Sequence, residues 1–127
     1  MVMASNVCSA YGTIHKTTLT LTGRSLESQV LTKCALSLKE CADNWEHPET
    51  FSKLLEQLKN NHKVWLLFQQ EVANAQCQLP NDIKINIIRL AAFVGQQTMD
   101  IYTAPAKEKL SILIDINLNI AAGLQGR

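Results

Sequence analysis

Apolar residues recur every three or four positions along most of the chain, which is the spacing of a helix with one buried face. The first such run extends from Leu26 to Cys41 and predicts a helix over about residues 24 to 44. Three further runs with the same period follow. The pattern therefore predicts an all-α fold, a single-domain bundle of about four helices with a loose N-terminal arm.

Prolines separate the periodic runs. His47-Pro48 ends the first helix, because a residue before proline avoids helical geometry while proline itself suits the first turn of the next helix. The second helix is predicted to reach about Ala75. The third is predicted from Asp82 to Tyr102, and the fourth after Pro105. Short links of this kind favour an up-and-down bundle or a related orthogonal packing.

The beginning of the chain lacks the helical period. Residues 12–23 include five threonines and, at the two ends, Gly12 and Gly23, all of them poor helix formers. Residues 18 to 22 alternate as a strand would, but the sequence offers no partner strand. We therefore divide the chain into an extended or flexible arm, residues 1–22, and a helical domain, residues 23–127.

Composition and charge narrow the possible functions. The chain has 127 residues, 46% of them hydrophobic and 18% charged, which is typical of one globular domain. The formal net charge is +1, and neither half of the chain is strongly basic. The largest lysine group, Lys53, Lys59 and Lys63, alternates with glutamates. It is interpreted as a solvated helix face, with an RNA-contacting patch as the alternative, so no direct nucleic-acid binding is expected.

The cysteines predict reduced thiols. The chain has four cysteines without C-x-x-C spacing. Cys34 and Cys41 lie two helical turns, roughly 10 Å, apart, which is too far for a disulfide. Reduced thiols indicate a cytoplasmic protein. The longest uncharged run of the helical domain, residues 116–126, is too short to cross a bilayer, so no membrane insertion is expected.

Residue patterns that carry catalysis or bind metal are not found. His15, His47 and His62 fall in three different segments, and the sequence contains no H-E-x-x-H pattern and no glycine-rich phosphate loop. We therefore expect no enzyme, no catalytic residue, no metal and no cofactor. Recognition of another protein is the remaining class of function.

Two aromatic residues and one helix have both a structural and a functional interpretation. Trp65 with Phe68 is either a core anchor or a partly exposed hot spot for a partner. The third helix is apolar nearly all round, so it is either central to the bundle or leaves an apolar face for a partner. The residues predicted to form the structural core are Trp65, Phe68, Leu79, Pro80, Val94, Leu113, Ile120 and Leu124.

The fourth helix carries an asparagine among aliphatic residues. Asn117 is predicted either to satisfy its amide within the bundle or to contact a partner directly. Aliphatic surface on the third and fourth helices exceeds what a small bundle needs, which predicts a partner groove bordered by these two helices. The residues assigned to this groove are Ile85, Ile88, Ala92, Asn117 and Leu118.

A series of short segments, in order along nearly the whole chain, resembles the FlaF family of flagellar biosynthesis proteins. The segments are Ala10-Tyr11, Glu27, Leu31 to Leu36, Trp65, Leu79-Pro80, Ile114 to Asn117 and Gly123-Leu124. No single segment is diagnostic, but their order and spacing are. The threonine-rich residues 13 to 24 depart from the Arg-rich, acidic segment expected there, which leaves the role of these residues open.

The resemblance implies a cytoplasmic helper of flagellin in alphaproteobacteria. Such a protein is needed for flagellin production or export and acts opposite a translational repressor of the FlbT type. The mechanism expected from it is chaperone-like binding of an amphipathic flagellin helix in a groove. Two alternatives are regulation through an FlbT-type protein or the flagellin messenger without flagellin binding, and a purely structural role in a larger export complex.

Overall fold

Four α-helices make up the structure of this chain. The computed structural model describes residues 21–77 and 79–124, with side chains from Glu27 onward. The helices are α1 (Leu21–Asp43), α2 (Thr50–Ala73), α3 (Asn81–Thr103) and α4 (Glu108–Leu124). These described residues contain no strand. The prediction of an all-α bundle is confirmed.

The first helix begins earlier than the sequence pattern indicates. Leu21 and Thr22, assigned above to the arm, are the first two residues of α1. Extending an existing helix costs little even at a threonine, because the unfavourable step is nucleation, and this outweighs the low propensity of one residue. The rest of the predicted arm, residues 1–20, lies outside the described residues.

All three predicted proline breaks lie between helices. Pro48 precedes α2, where the Thr50 hydroxyl donates a hydrogen bond to the Asn44 carbonyl and ties α1 to α2. Pro80 is the N-cap residue of α3, and Pro105 lies between α3 and α4. The links are short, so consecutive helices fold back on one another.

The four helices pack in a ring, in which one of the four neighbouring pairs makes much less contact than the others. α4 packs mainly on α1, α3 packs mainly on α2, and α1 also contacts α2 closely. Contact between α3 and α4 is sparse. Trp65 and Phe68 lie in the core with their rings edge to face and their centroids 5.6 Å apart.

Most of the predicted core positions are buried, but two are not. Trp65, Phe68, Leu79, Val94, Leu113 and Leu124 are all buried. Pro80 is exposed, because it caps the first turn of α3 at the end of a surface link. Ile120 is only partly buried against the core, because it lies at the edge of the buried face of α4.

The cysteines do not all follow the sequence prediction. Cys34 and Cys41 are free, and burial raises the pKa of both thiols, which makes them poor nucleophiles. Cys77, in the link between α2 and α3, is disulfide-bonded. The expectation of reduced thiols is therefore wrong for Cys77, because the distance between helical turns excludes a disulfide only for cysteines that share one helix.

Candidate partner-binding site

Helix α3 has two apolar faces. Ile87, Ala91 and Val94 are buried and hold the helix against the core. A second set of residues repeats at alternating intervals of three and four, as in the seam of a coiled coil. This set, called the α3 stripe below, consists of Ile85, Ile88, Ala92, Gly95, Met99 and Tyr102.

The α3 stripe is largely uncovered. Ile85 is 48% exposed and Met99 is 57% exposed. Ala92 and Tyr102 are also exposed, whereas Ile88 and Gly95 are half-buried. A helix at the surface of a bundle normally carries polar residues at such positions. The α3 stripe is therefore an apolar face that the described part of the chain does not cover.

A contact between His62 and Gly95 shows which helix lies beside the α3 stripe. A β-carbon built on Gly95 would lie 3.2 Å from His62 Nε2, so the absence of a side chain lets α2 approach α3 closely. Leu55 and Leu66, one or two turns either side of His62, are exposed on the same side of α2. Together with the α3 stripe, Leu55, His62 and Leu66 form one mostly apolar surface where α2 and α3 meet, called the outer groove below.

The prediction of a groove between α3 and α4 is wrong in its position, because the apolar face of α3 lies beside α2. Gln97 faces α4, since its Nε2 donates to the Lys109 carbonyl over 3.1 Å. Ile88 lies nine residues before Gln97, which is two and a half helical turns and hence the opposite side of α3. Ile85, Ile88 and Ala92 share one surface, as predicted, but that surface borders α2 rather than α4.

The two α4 residues assigned to the groove lie elsewhere. Leu118 is exposed, but it is nine residues from Lys109, so it faces away from α3. Asn117 is fully buried. The assignment failed because helical spacing identifies a face within one helix and does not say which neighbour lies beside it. Leu55 and Leu66 were missed for the same reason.

Asn117 belongs to a buried polar network that joins α4 to α2. The indole Nε1 of Trp65 donates to Asn117 Oδ1 over 2.9 Å, and Asn117 Nδ2 donates to Asn61 Oδ1 over 2.6 Å. All three residues are buried. Because buried hydrogen-bonding groups must find specific partners, the network fixes the register of α4 on α2.

Replacing Asn117 by alanine is expected to lower the free energy of unfolding by about 1–3 kcal/mol, because the Trp65 indole and the Asn61 amide lose their buried partner. Urea denaturation measures this change. Asn119, exposed on the same helix, provides the control. Asn119→Ala should change stability by less than about 0.5 kcal/mol, and equal effects of the two substitutions would show that the network contributes nothing.

A buried carboxyl lies in another part of the bundle. Glu27 of α1 is fully buried, and neither of its carboxyl oxygens has a hydrogen-bond partner among the described residues. Burial, reinforced by the nearby Glu71, raises the pKa of Glu27 to about 8. The carboxyl is therefore largely neutral at pH 7.

The described residues contain no group of three or more His, Cys, Asp or Glu side chains placed to hold a metal ion. None of the helices described above is both long and apolar enough to cross a membrane. Besides the buried Glu27 carboxyl, the feature of these residues that the fold does not explain is the exposed apolar outer groove.

By its fold the chain is a four-helix protein in which one helix, α3, is apolar on two faces. A family model described as flagellar protein FlaF matches residues 8–124, nearly the whole chain, so the chain belongs to the FlaF family. It is therefore a flagellar protein, and the resemblance noted in the sequence is confirmed. No curated protein and no solved structure matches the chain.

Proposed function

We propose that this protein acts in the cytoplasm, where it binds flagellin in a chaperone-like manner and promotes flagellin synthesis or export. The role is one of binding, without catalysis or a cofactor. Membership of the FlaF family supports a partner from the flagellar system. The exposed α3 stripe is the single observation that carries the proposal, because it supplies a surface for an amphipathic helix.

Binding of a partner helix explains why this protein has an exposed apolar surface. Contiguous apolar residues on a small protein are an aggregation liability unless a partner covers them. The α3 stripe has the intervals of three and four residues with which two helices pack, so an apolar helix can lie along it. A flagellin helix bound there is kept from other flagellin molecules until export.

Substitution on the α3 stripe is expected to separate binding from folding. Ile85→Asp and Met99→Asp each place a charge on the exposed face, so each should weaken flagellin binding by about tenfold to a hundredfold, or about 1.4–2.8 kcal/mol. The melting temperature should change little, because neither residue is in the core. Titration of purified flagellin, with a thermal melt of each variant, measures both quantities.

Leu36 offers a matched control for Met99. Both side chains are 57% exposed, and Leu36 lies on α1. Leu36→Asp should bind flagellin as tightly as the parent. If the Ile85 and Met99 variants also bind like the parent, the outer groove is not the flagellin site. If the parent itself does not bind flagellin, the proposed function fails.

The alternative function is post-transcriptional regulation through an FlbT-type repressor or the flagellin messenger. The observation that favours it is a set of lysines on α2, Lys59 and Lys63 among them, which form no ion pair within the described residues. Under this alternative, the purified protein binds the FlbT-type protein or the RNA and leaves flagellin in solution. The same titration, with each partner in turn, distinguishes the two functions.

A further inference from the structure

Cationic side chains line the outer groove. Lys59 is four residues from Leu55 and seven from Leu66, so it shares their side of α2, and Lys63 lies one turn further along. On α3, Arg89 is four residues after Ile85 and Lys84 is four before Ile88. None of these four cations forms an ion pair within the described residues.

The contact between His62 and Gly95 fixes where these charges lie along the groove. α2 and α3 run in opposite directions from that contact, because the short link between residues 73 and 81 joins their ends. Lys59 and Lys63 are level with the contact, and Arg89 and Lys84 lie between it and the link. The cations therefore extend from the middle of the groove to one end.

Fewer anionic than cationic side chains lie along the outer groove. Glu56 precedes Lys59 by one turn, and Asp82 lies in the first turn of α3, so the two carboxylates stand at the ends of the row. At the other end of α3, Asp100 is paired with Lys109 over 3.0 Å. The N-terminus of α3, at the cationic end of the groove, adds the partial positive charge of the helix dipole.

From this arrangement we propose that the outer groove takes an amphipathic α-helix whose apolar face is flanked by Asp and Glu residues. The α3 stripe packs against the apolar face, and Lys59, Lys63, Lys84 and Arg89 attract the flanking carboxylates. The inference rests on the proposed function, and it specifies that the bound flagellin segment is a helix with acidic flanks. An apolar floor favours a protein helix over RNA, whose backbone presents phosphates and no apolar face.

Two synthetic helical peptides test the inference. Both carry the same leucine face, and one has Glu where the other has Lys at the flanking positions. Fluorescence anisotropy at low salt should show that the Glu peptide binds the parent at least about tenfold more tightly than the Lys peptide, with the difference shrinking at 0.5 M salt. Equal affinities for the two peptides would overturn the charge assignment.

A double charge reversal provides the second measurement. Lys59→Glu with Arg89→Glu should weaken binding of the Glu peptide and of purified flagellin by about tenfold or more. The control, Lys33→Glu with Lys107→Glu, makes the same change in net charge outside the groove and should leave both affinities unchanged. A circular dichroism melt confirms that each double variant is folded.

The outcomes separate this inference from the proposed function. If flagellin binds the parent and the Lys59/Arg89 variant equally well, the acidic-helix inference is wrong while flagellin binding stands. If flagellin does not bind but the parent prefers the Glu peptide, the proposed function fails while the groove chemistry stands. A mixed-sequence RNA oligonucleotide that binds the parent and displaces the Glu peptide would overturn the choice of a protein occupant.

Discussion

Replacing Trp65 by alanine is expected to lower the free energy of unfolding by about 3–5 kcal/mol. The side chain is completely buried, packs edge to face on Phe68, and donates to Asn117. Its removal leaves a cavity between α2 and α4 and an asparagine oxygen without its donor. Because domains of this size are stable by only about 5–15 kcal/mol, a large part of the molecules should lose their fold at moderate urea concentrations.

Trp65→Phe separates the contribution of core packing by this side chain from that of its hydrogen bond to Asn117. Phenylalanine keeps most of the ring volume but cannot donate to Asn117, so this variant should lose about 1–3 kcal/mol. Urea denaturation followed by circular dichroism measures both variants. An alanine variant within about 1 kcal/mol of the parent would contradict the central role of Trp65 in the core.

Replacing Glu27 by glutamine is expected to stabilise the protein at and above neutral pH. Burial raises the pKa of Glu27 from 4.5 to about 8, so the folded state binds a proton that the unfolded state has released. The contribution of Glu27 to the free energy of unfolding should therefore be largest below about pH 4.5 and be lost as the pH rises to 8. The loss should be about 2–4 kcal/mol, allowing for relaxation around the carboxylate.

Glutamine cannot ionise, so Glu27→Gln should remove this fall with pH. Urea denaturation of parent and variant between pH 5 and pH 9 gives the comparison, and Glu40→Gln, at an exposed position on α1, provides the control. If the free energy of unfolding changed with pH in the same way for the parent and the Glu27 variant, Glu27 would be charged in the folded protein and stabilised by other groups.

The helices could be predicted from the sequence because each one carries a local signal. Apolar residues repeat at intervals of three or four, and Pro48, Pro80 and Pro105 fall between helices as expected. The start of α1 was missed by a few residues because threonine propensity is a weak signal beside helix extension. Local patterns thus determine the number of helices and their approximate bounds.

The candidate site could be predicted only in part. The exposed apolar face of α3 follows from helical spacing alone, which is why Ile85, Ile88 and Ala92 were identified. Their neighbour was misassigned because the ring order of the helices depends on contacts distant in sequence. The contact between His62 and Gly95 has no local signature. The same limit applies to Asn117, whose partners Asn61 and Trp65 lie on α2.

The central claim, that flagellin covers the α3 stripe, can be tested directly through the methyl group of Met99. Met99 is the only methionine in the described part of the chain, and its side chain is 57% exposed. With methyl-labelled methionine, and the signal assigned by a Met99→Leu variant, the NMR resonance should shift or broaden when purified flagellin is added. A stable flagellin complex, shown by co-elution, with an unchanged Met99 resonance would contradict the account.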